Sequence, residues 1–120
     1  MTLPEKSTPP LGPSNTLPKC TMQDDQYFID RELGQATLAC LDPTWDGADL
    51  VIDLRTGVKV SLVRVGADGF GVPSDDVYVA VGKLVQLHKA HATGLQRATY
   101  AFRRRSDGKW SFTGDYLYPP

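Results

Sequence analysis

Residues 94–120 read GLQRATYAFRRRSDGKWSFTGDYLYPP, and this stretch decides the fold. Two runs alternate apolar and polar side chains on either side of Ser106-Asp107-Gly108, three residues that favour turns. The pattern predicts a β-hairpin with one buried face. Ala98, Tyr100 and Phe102 fall on that face of the first strand, and Trp110, Phe112 and Tyr116 line one side of the second. Rings that meet across paired strands hold a sheet together. Pro119-Pro120 then ends the ladder, because proline has no amide to donate. The large aromatic residues are thus committed to a core, and no catalytic signature accompanies them.

Working back from the hairpin, Ser74-Asp75-Asp76 reads as a helix start, with a capping hydroxyl and two acids at the positive end of the dipole. Val77, Val81, Leu84, Val85 and His88 share one face of the turns that follow, and Gly94 supplies a stop. A strand competes for this stretch, since Val77, Val79 and Val81 also alternate; the length of the run favours the helix. Further upstream, Leu50, Ile52 and Leu54 alternate with Asp49, Val51 and Asp53. After a turn at Arg55-Thr56-Gly57, Val58, Val60 and Leu62 return on the core side, leaving Lys59, Ser61 and Val63 outside. A second turn at Gly66-Ala67-Asp68-Gly69 leads to a short strand at Phe70-Gly71-Val72. Before this meander, Ile29, Leu33, Ala36 and Cys40 recur at helical spacing, with Asp24 or Asp25 available as a cap. That predicts a helix over residues 25–41, stopped by Asp42-Pro43 and weakened by Gly34.

The expected fold is therefore α+β, in the order α-β-β-(β)-α-β-β. An antiparallel sheet of four to five strands would carry two helices on one face. Residues 1–22 hold five of the nine prolines among Ser, Thr, Gly and Asn and read as a disordered arm, leaving 23–120 as one domain.

Composition narrows the function classes. Hydrophobic content of 41% with 22% charged residues fits a globular chain, and 13 basic against 14 acidic residues leave no net field to recruit nucleic acid or an anionic membrane. The first residues lack a basic-then-apolar signal pattern, so the expected compartment is the cytoplasm, or the periplasm if a signal peptide has been removed. Cys20 and Cys40 are expected as free thiols there; a Cys20–Cys40 bridge would instead suit a secreted or periplasmic inhibitor or accessory domain.

Chemistry-bearing groups are sparse. His88 and His91 stand three apart on the second helix, but a metal site needs a third ligand, and neither H-E-x-x-H nor C-x-x-C occurs. They serve better as helix-end histidines near the last carbonyls. Arg103-Arg104-Arg105 and Lys109 bracket the last turn, as charges do at an exposed hairpin tip. No serine sits in a G-x-S-x-G elbow and no glycine-rich phosphate loop is present. No catalytic residue, metal or cofactor is expected; a hydrolytic or ligand-binding domain using His88, His91 and nearby acids is the rival.

Four short pieces carry a family likeness. A helix runs into Leu41-Asp42-Pro43-Thr44-Trp45 and the strand 49–54; Asp68-Gly69-Phe70 is followed by Val72-Pro73-Ser74 and a helix; Gly94 precedes a strand; and Asp107 to Tyr116 closes the chain with proline soon after. In these the chain resembles the YezG-like immunity proteins of bacterial polymorphic toxin systems. It departs from them in one place: Leu95-Gln96-Arg97 stands where such proteins often carry a tryptophan after the glycine, and Trp110 is placed to supply a ring from the opposite strand. The resemblance implies a cytoplasmic antitoxin that binds a cognate protein toxin, a nuclease among the options, and occludes its active site without itself touching nucleic acid or membrane. Acids occupying a basic toxin cleft would speed encounter. The expected partner-binding patch is the uncovered sheet face, Asp49, Val51 and Asp53 beside Lys59, Ser61 and Val63. The helix start at Asp75 and Asp76 is a second possibility.

Overall fold

The structure, a computed structural model, describes residues 22–120. The expected arm therefore lies outside the described residues except for Met22, which is already helical. In chain order the elements are α1 (Met22–Cys40), β1 (Gly47–Asp53), β2 (Lys59–Arg64), β3 (Phe70–Gly71), α2 (Asp75–Ala90), β4 (Arg97–Arg104) and β5 (Trp110–Leu117). The strands form one antiparallel sheet in the order β3-β2-β1-β4-β5, and α1 and α2 pack together on one face. This is the α+β architecture that the alternation and helical spacing predict.

Alternation explains which side the helices cover. Ala48, Leu50 and Ile52 of β1, Leu62 of β2 and Ala98, Tyr100 and Phe102 of β4 are buried against Leu33, Val77, Ala80, Val81 and Leu84. The aromatic ladder of the hairpin forms as expected: Phe102 stacks on Phe112 with centroids 5.4 Å apart, and Tyr100 meets Tyr116 edge-on at 6.1 Å. Such pairs contribute roughly 0.5–1.5 kcal/mol each beyond their buried area. At the tip, Gly108 adopts φ +83° and its N–H donates to the Arg105 carbonyl, closing the turn with the backbone freedom that glycine supplies.

Three local expectations are corrected, and the helix expected for residues 75–90 is borne out. Val58 is 56% exposed and precedes β2, so the core row of that strand is Val60 and Leu62 alone. Val79 is 57% exposed, which settles the helix-or-strand competition for α2: a strand would have buried it beside Val77 and Val81. Ser74 occupies the N-cap with extended backbone, yet its hydroxyl makes no capping bond. Helix α2 ends at Ala90, short of Gly94. Ala92 takes the left-handed conformation (φ 51°), with the Thr93 N–H reaching the His88 carbonyl and the Ala92 N–H the Lys89 carbonyl. These two bonds satisfy the last carbonyls in the manner of a Schellman end, with alanine where glycine is usual.

The first helix shows a similar refinement. It runs Met22–Cys40 rather than 25–41, with Asp24 and Asp25 inside its first turn. Leu33, Gly34 and Thr37 are its buried residues, with Ile29, Ala36 and Cys40 packed beside them. The helix stops where Asp42-Pro43 requires. Asp42 then folds the connection by accepting from both the N–H and the hydroxyl of Thr44 (2.8 and 2.7 Å), and these bonds lower its pKa. Arg104 clamps the same segment, donating to the carbonyls of Pro43 and Trp45 while its guanidinium lies 4.8 Å from the Trp110 ring centre.

Candidate functional site

Register places the sheet's second face in rows. Val63 of β2 lies beside Asp49 of β1, which lies beside Ala101 of β4 and then Thr113 of β5; Ser61, Val51, Thr99 and Asp115 form the next row. Lys59, Asp53, Arg97 and Leu117 form the third. All six sheet residues predicted to bind a partner thus share one face. Both helices lie on the other side, and among the described residues no element covers this one. Asp75 and Asp76 are not brought to it. They stand exposed in the first turn of α2, on the covered side.

Val51, Val63 and Ala101 are half-buried by their neighbours and form the apolar centre of the face. At its β3 edge Phe70 pairs with Val63 and is 82% exposed, and Val72 is 85% exposed. Gly71 between them turns toward the core: a Cβ there would meet Leu62 at 2.6 Å. Alternation therefore puts Phe70 and Val72 on the open side. Sequence reading assigned that strand but not its two exposed apolar side chains.

The electrostatics differ from the expected acidic patch. Asp49 is paired with Arg103 at 3.1 Å, and Asp53 with Arg55 at 2.7 Å. Hydrogen bonds from the Arg55 side chain and backbone hold the Asp53 carboxyl down at about 2. Asp49, Asp53 and Asp115 are balanced across the rows by Lys59, Arg97 and Arg103. A face so neutralised suits a partner of mixed charge better than a uniformly basic cleft.

A second constellation lies under the helices. Asp30 accepts hydrogen bonds from the Tyr100 hydroxyl (2.7 Å), the Tyr116 hydroxyl (2.6 Å) and Gln26 Nε2 (2.7 Å). Gln26 Oε1 meets His88 Nε2 at 2.6 Å, and His88 Nδ1 meets the Thr93 hydroxyl at 2.8 Å. Since the amide oxygen of Gln26 only accepts, Nε2 of His88 carries the proton and Nδ1 accepts from Thr93. Both ring nitrogens are engaged within the fold, and among the described residues no three His, Cys, Asp or Glu gather as a metal site. An apolar cleft of about 530 Å³ lies beside His88, lined chiefly by Leu54, Val58, Val85 and Leu95. The Cys40 thiol donates to the Thr37 carbonyl at 3.3 Å; Cys20 lies outside the described residues.

Burial lowers the pKa of His88, which is only 3% exposed, with Asp30 opposing the shift and His91 adding to it. In an unfolded chain imidazole titrates near about 6.5. Between that value and the lower folded one the unfolded chain binds more protons. Stability is therefore complete above the window and falls as the pH drops through it. Thermal midpoints measured at pH 7.5 and 5.5 should fall more for the natural chain than for His88→Gln, whose amide can still donate to Gln26. Equal falls would remove His88 as the source.

No protein-family model matches this chain, and no curated protein matches it either.

Proposed function

We propose that this chain is an immunity protein, which neutralises a cognate toxin domain by seating its uncovered sheet face over the toxin's active site. One observation carries the proposal: a sheet face free of its own helices, with Val51, Val63 and Ala101 at the centre and paired charges around them. An apolar centre inside a polar rim is the usual anatomy of a protein-binding patch. Phe70 and Val72 extend the centre at one edge, where a partner would desolvate them. The face needs no reactive group for this task; shape and exclusion of substrate suffice. The likeness to YezG-like proteins supplies the toxin as the class of partner, and the cytoplasm as the compartment where the two meet. Because Asp49 and Asp53 are already paired, their role is to set register across the interface rather than to fill a basic cleft.

The test is binding to the toxin domain encoded next to this reading frame, followed by titration calorimetry. Val51→Arg and Phe70→Ala should each weaken binding by at least about tenfold, or 1.4 kcal/mol. Circular dichroism of both variants should remain that of the parent. Unchanged affinity in both, with loss in Asp75→Lys/Asp76→Lys, would move the site to the start of α2.

A further inference from the structure

The two edges of the sheet are built differently. At one edge β3 is two residues long, and the ladder stops because the next residue that would bond β2 is Pro73, opposite Val60. At the other edge β5 keeps eight consecutive pairs with β4, without a bulge, and no strand among the described residues lies on its outer side. Natural sheets blunt exposed edges with short strands, proline, lysine or bulges. The β3 edge has the first two devices. Strand β5 has none within it, and its one charge is Asp115.

The parity of the ladder shows which groups that edge offers. Across the hairpin tip the Arg105 N–H donates to the Lys109 carbonyl at 2.6 Å, and on the far side of β4 the Arg104 N–H donates to Asp46 at 2.8 Å. Odd-numbered residues of β5 therefore bond β4. The N–H and C=O groups of Trp110, Phe112, Gly114 and Tyr116 point outward.

We infer that a second copy of this chain pairs antiparallel along β5, joining two sheets into one of ten strands about a two-fold axis at Gly114. The sequence is self-complementary at that register. Phe112 falls opposite Tyr116 of the second copy and Trp110 opposite Tyr118, placing aromatic beside aromatic on the core side. On the open side Thr113 falls opposite Asp115 of the second copy, a hydroxyl facing a carboxylate, twice by symmetry. Gly114 meets its own counterpart at the axis. It has to be small, because a Cβ there would lie 2.9 Å from the Tyr116 hydroxyl oxygen and 3.3 Å from the Tyr100 ring. Pro120, the next outward position after Tyr118, has no N–H and ends the pairing. Trp110, Phe112 and Tyr116, left half-exposed by α1, are the side chains that a second copy would finish burying. The interface is an edge and leaves the open sheet face available to another partner.

The full chain should sediment as a species of twice its 13.2 kDa mass at about 200 µM and dissociate on dilution toward about 1 µM. Thr113→Asp sets two carboxylates opposite each other at both symmetric positions and should weaken the dimer by at least about tenfold. Thr113→Asp with Asp115→Lys in the same chain restores the opposite-charge pairing and should restore the dimer. Both positions are exposed, so an unchanged circular dichroism spectrum should accompany each variant. A natural chain that stays monomeric at about 200 µM overturns the inference, as it would if the edge were taken by another protein's strand or by residues 1–21. A dimer indifferent to Thr113→Asp overturns it equally, because copies would then meet elsewhere.

Discussion

Asp30→Ala should lower the free energy of unfolding by about 3 kcal/mol, the cost of leaving buried donors without an acceptor. Three donors converge on this carboxylate, from β4, from β5 and from one turn back on α1. Tyr100 is fully buried, so its hydroxyl has no access to water once Asp30 is gone. Tyr116 and Gln26 are half-exposed and recover part of their loss by hydration. The tyrosines report the same environment: burial first, then the bond to Asp30, raises the pKa of each well above the ordinary value of about 10. Both should remain phenols in the folded chain at a pH where an unfolded chain ionises them, so stability falls as the pH rises past about 10. Urea unfolding checks the alanine variant. Asp30→Asn keeps one acceptor oxygen and should lose less. Asp30→Leu combined with Tyr100→Phe and Tyr116→Phe removes the acceptor with both phenol donors, leaving only the half-exposed Gln26 amide to water, and should recover most of the loss. If Asp30→Ala unfolds like the parent, the carboxylate is a bystander rather than the tie between α1 and the hairpin.

The contrast between this tie and the rest of the fold shows how far the sequence was legible. Periodicity reports which face of an element is apolar, and so Tyr100, Phe102, Leu50 and Val81 could be placed inward from their spacing alone. It reports nothing about which polar group on another element will meet that face. Asp30 lies 70 residues from Tyr100 and 86 from Tyr116, and Gln26 lies 62 from His88. Read as a sequence, Asp30 is one more acid on a helix. For the candidate site the outcome is parallel: alternation placed Asp49, Val51, Asp53, Lys59, Ser61 and Val63 on one face, while the pairing of Asp49 with Arg103 needed the register between β1 and β4. Asp75 and Asp76 carried only a helix-start signal, which has no bearing on which face of the sheet they join. The end of α2 shows the opposite failure. Glycine is the sequence signal for a left-handed residue, and here alanine took that conformation two positions earlier.

Gly34 offers the sharpest separation between local propensity and packing. Alanine is favoured over glycine by roughly 1 kcal/mol inside a helix, so propensity alone expects Gly34→Ala to stabilise α1. The structure expects the reverse. A Cβ at Gly34 would lie 2.5 Å from both Cε1 and Cζ of Phe112, whose ring stacks on Phe102 on the sheet side. The ring is held between helix and sheet. Yielding to the methyl group means giving up the stack on Phe102 and opening the contact between α1 and β5, a strain of about 1–3 kcal/mol. The net expectation is a loss of up to about 2 kcal/mol in Gly34→Ala, measured by chemical denaturation. The decisive comparison is a double-mutant cycle. In a Phe112→Ala background the obstacle is gone, and Gly34→Ala should there stabilise the chain by about the helix-propensity difference. That reversal of sign, with a coupling equal to the strain of roughly 1–3 kcal/mol, would show that glycine stands in the middle of α1 because the hairpin needs the space. A gain in both backgrounds would mean that the Phe112 ring moves aside freely, and that α1 is not pressed against β5 at Gly34.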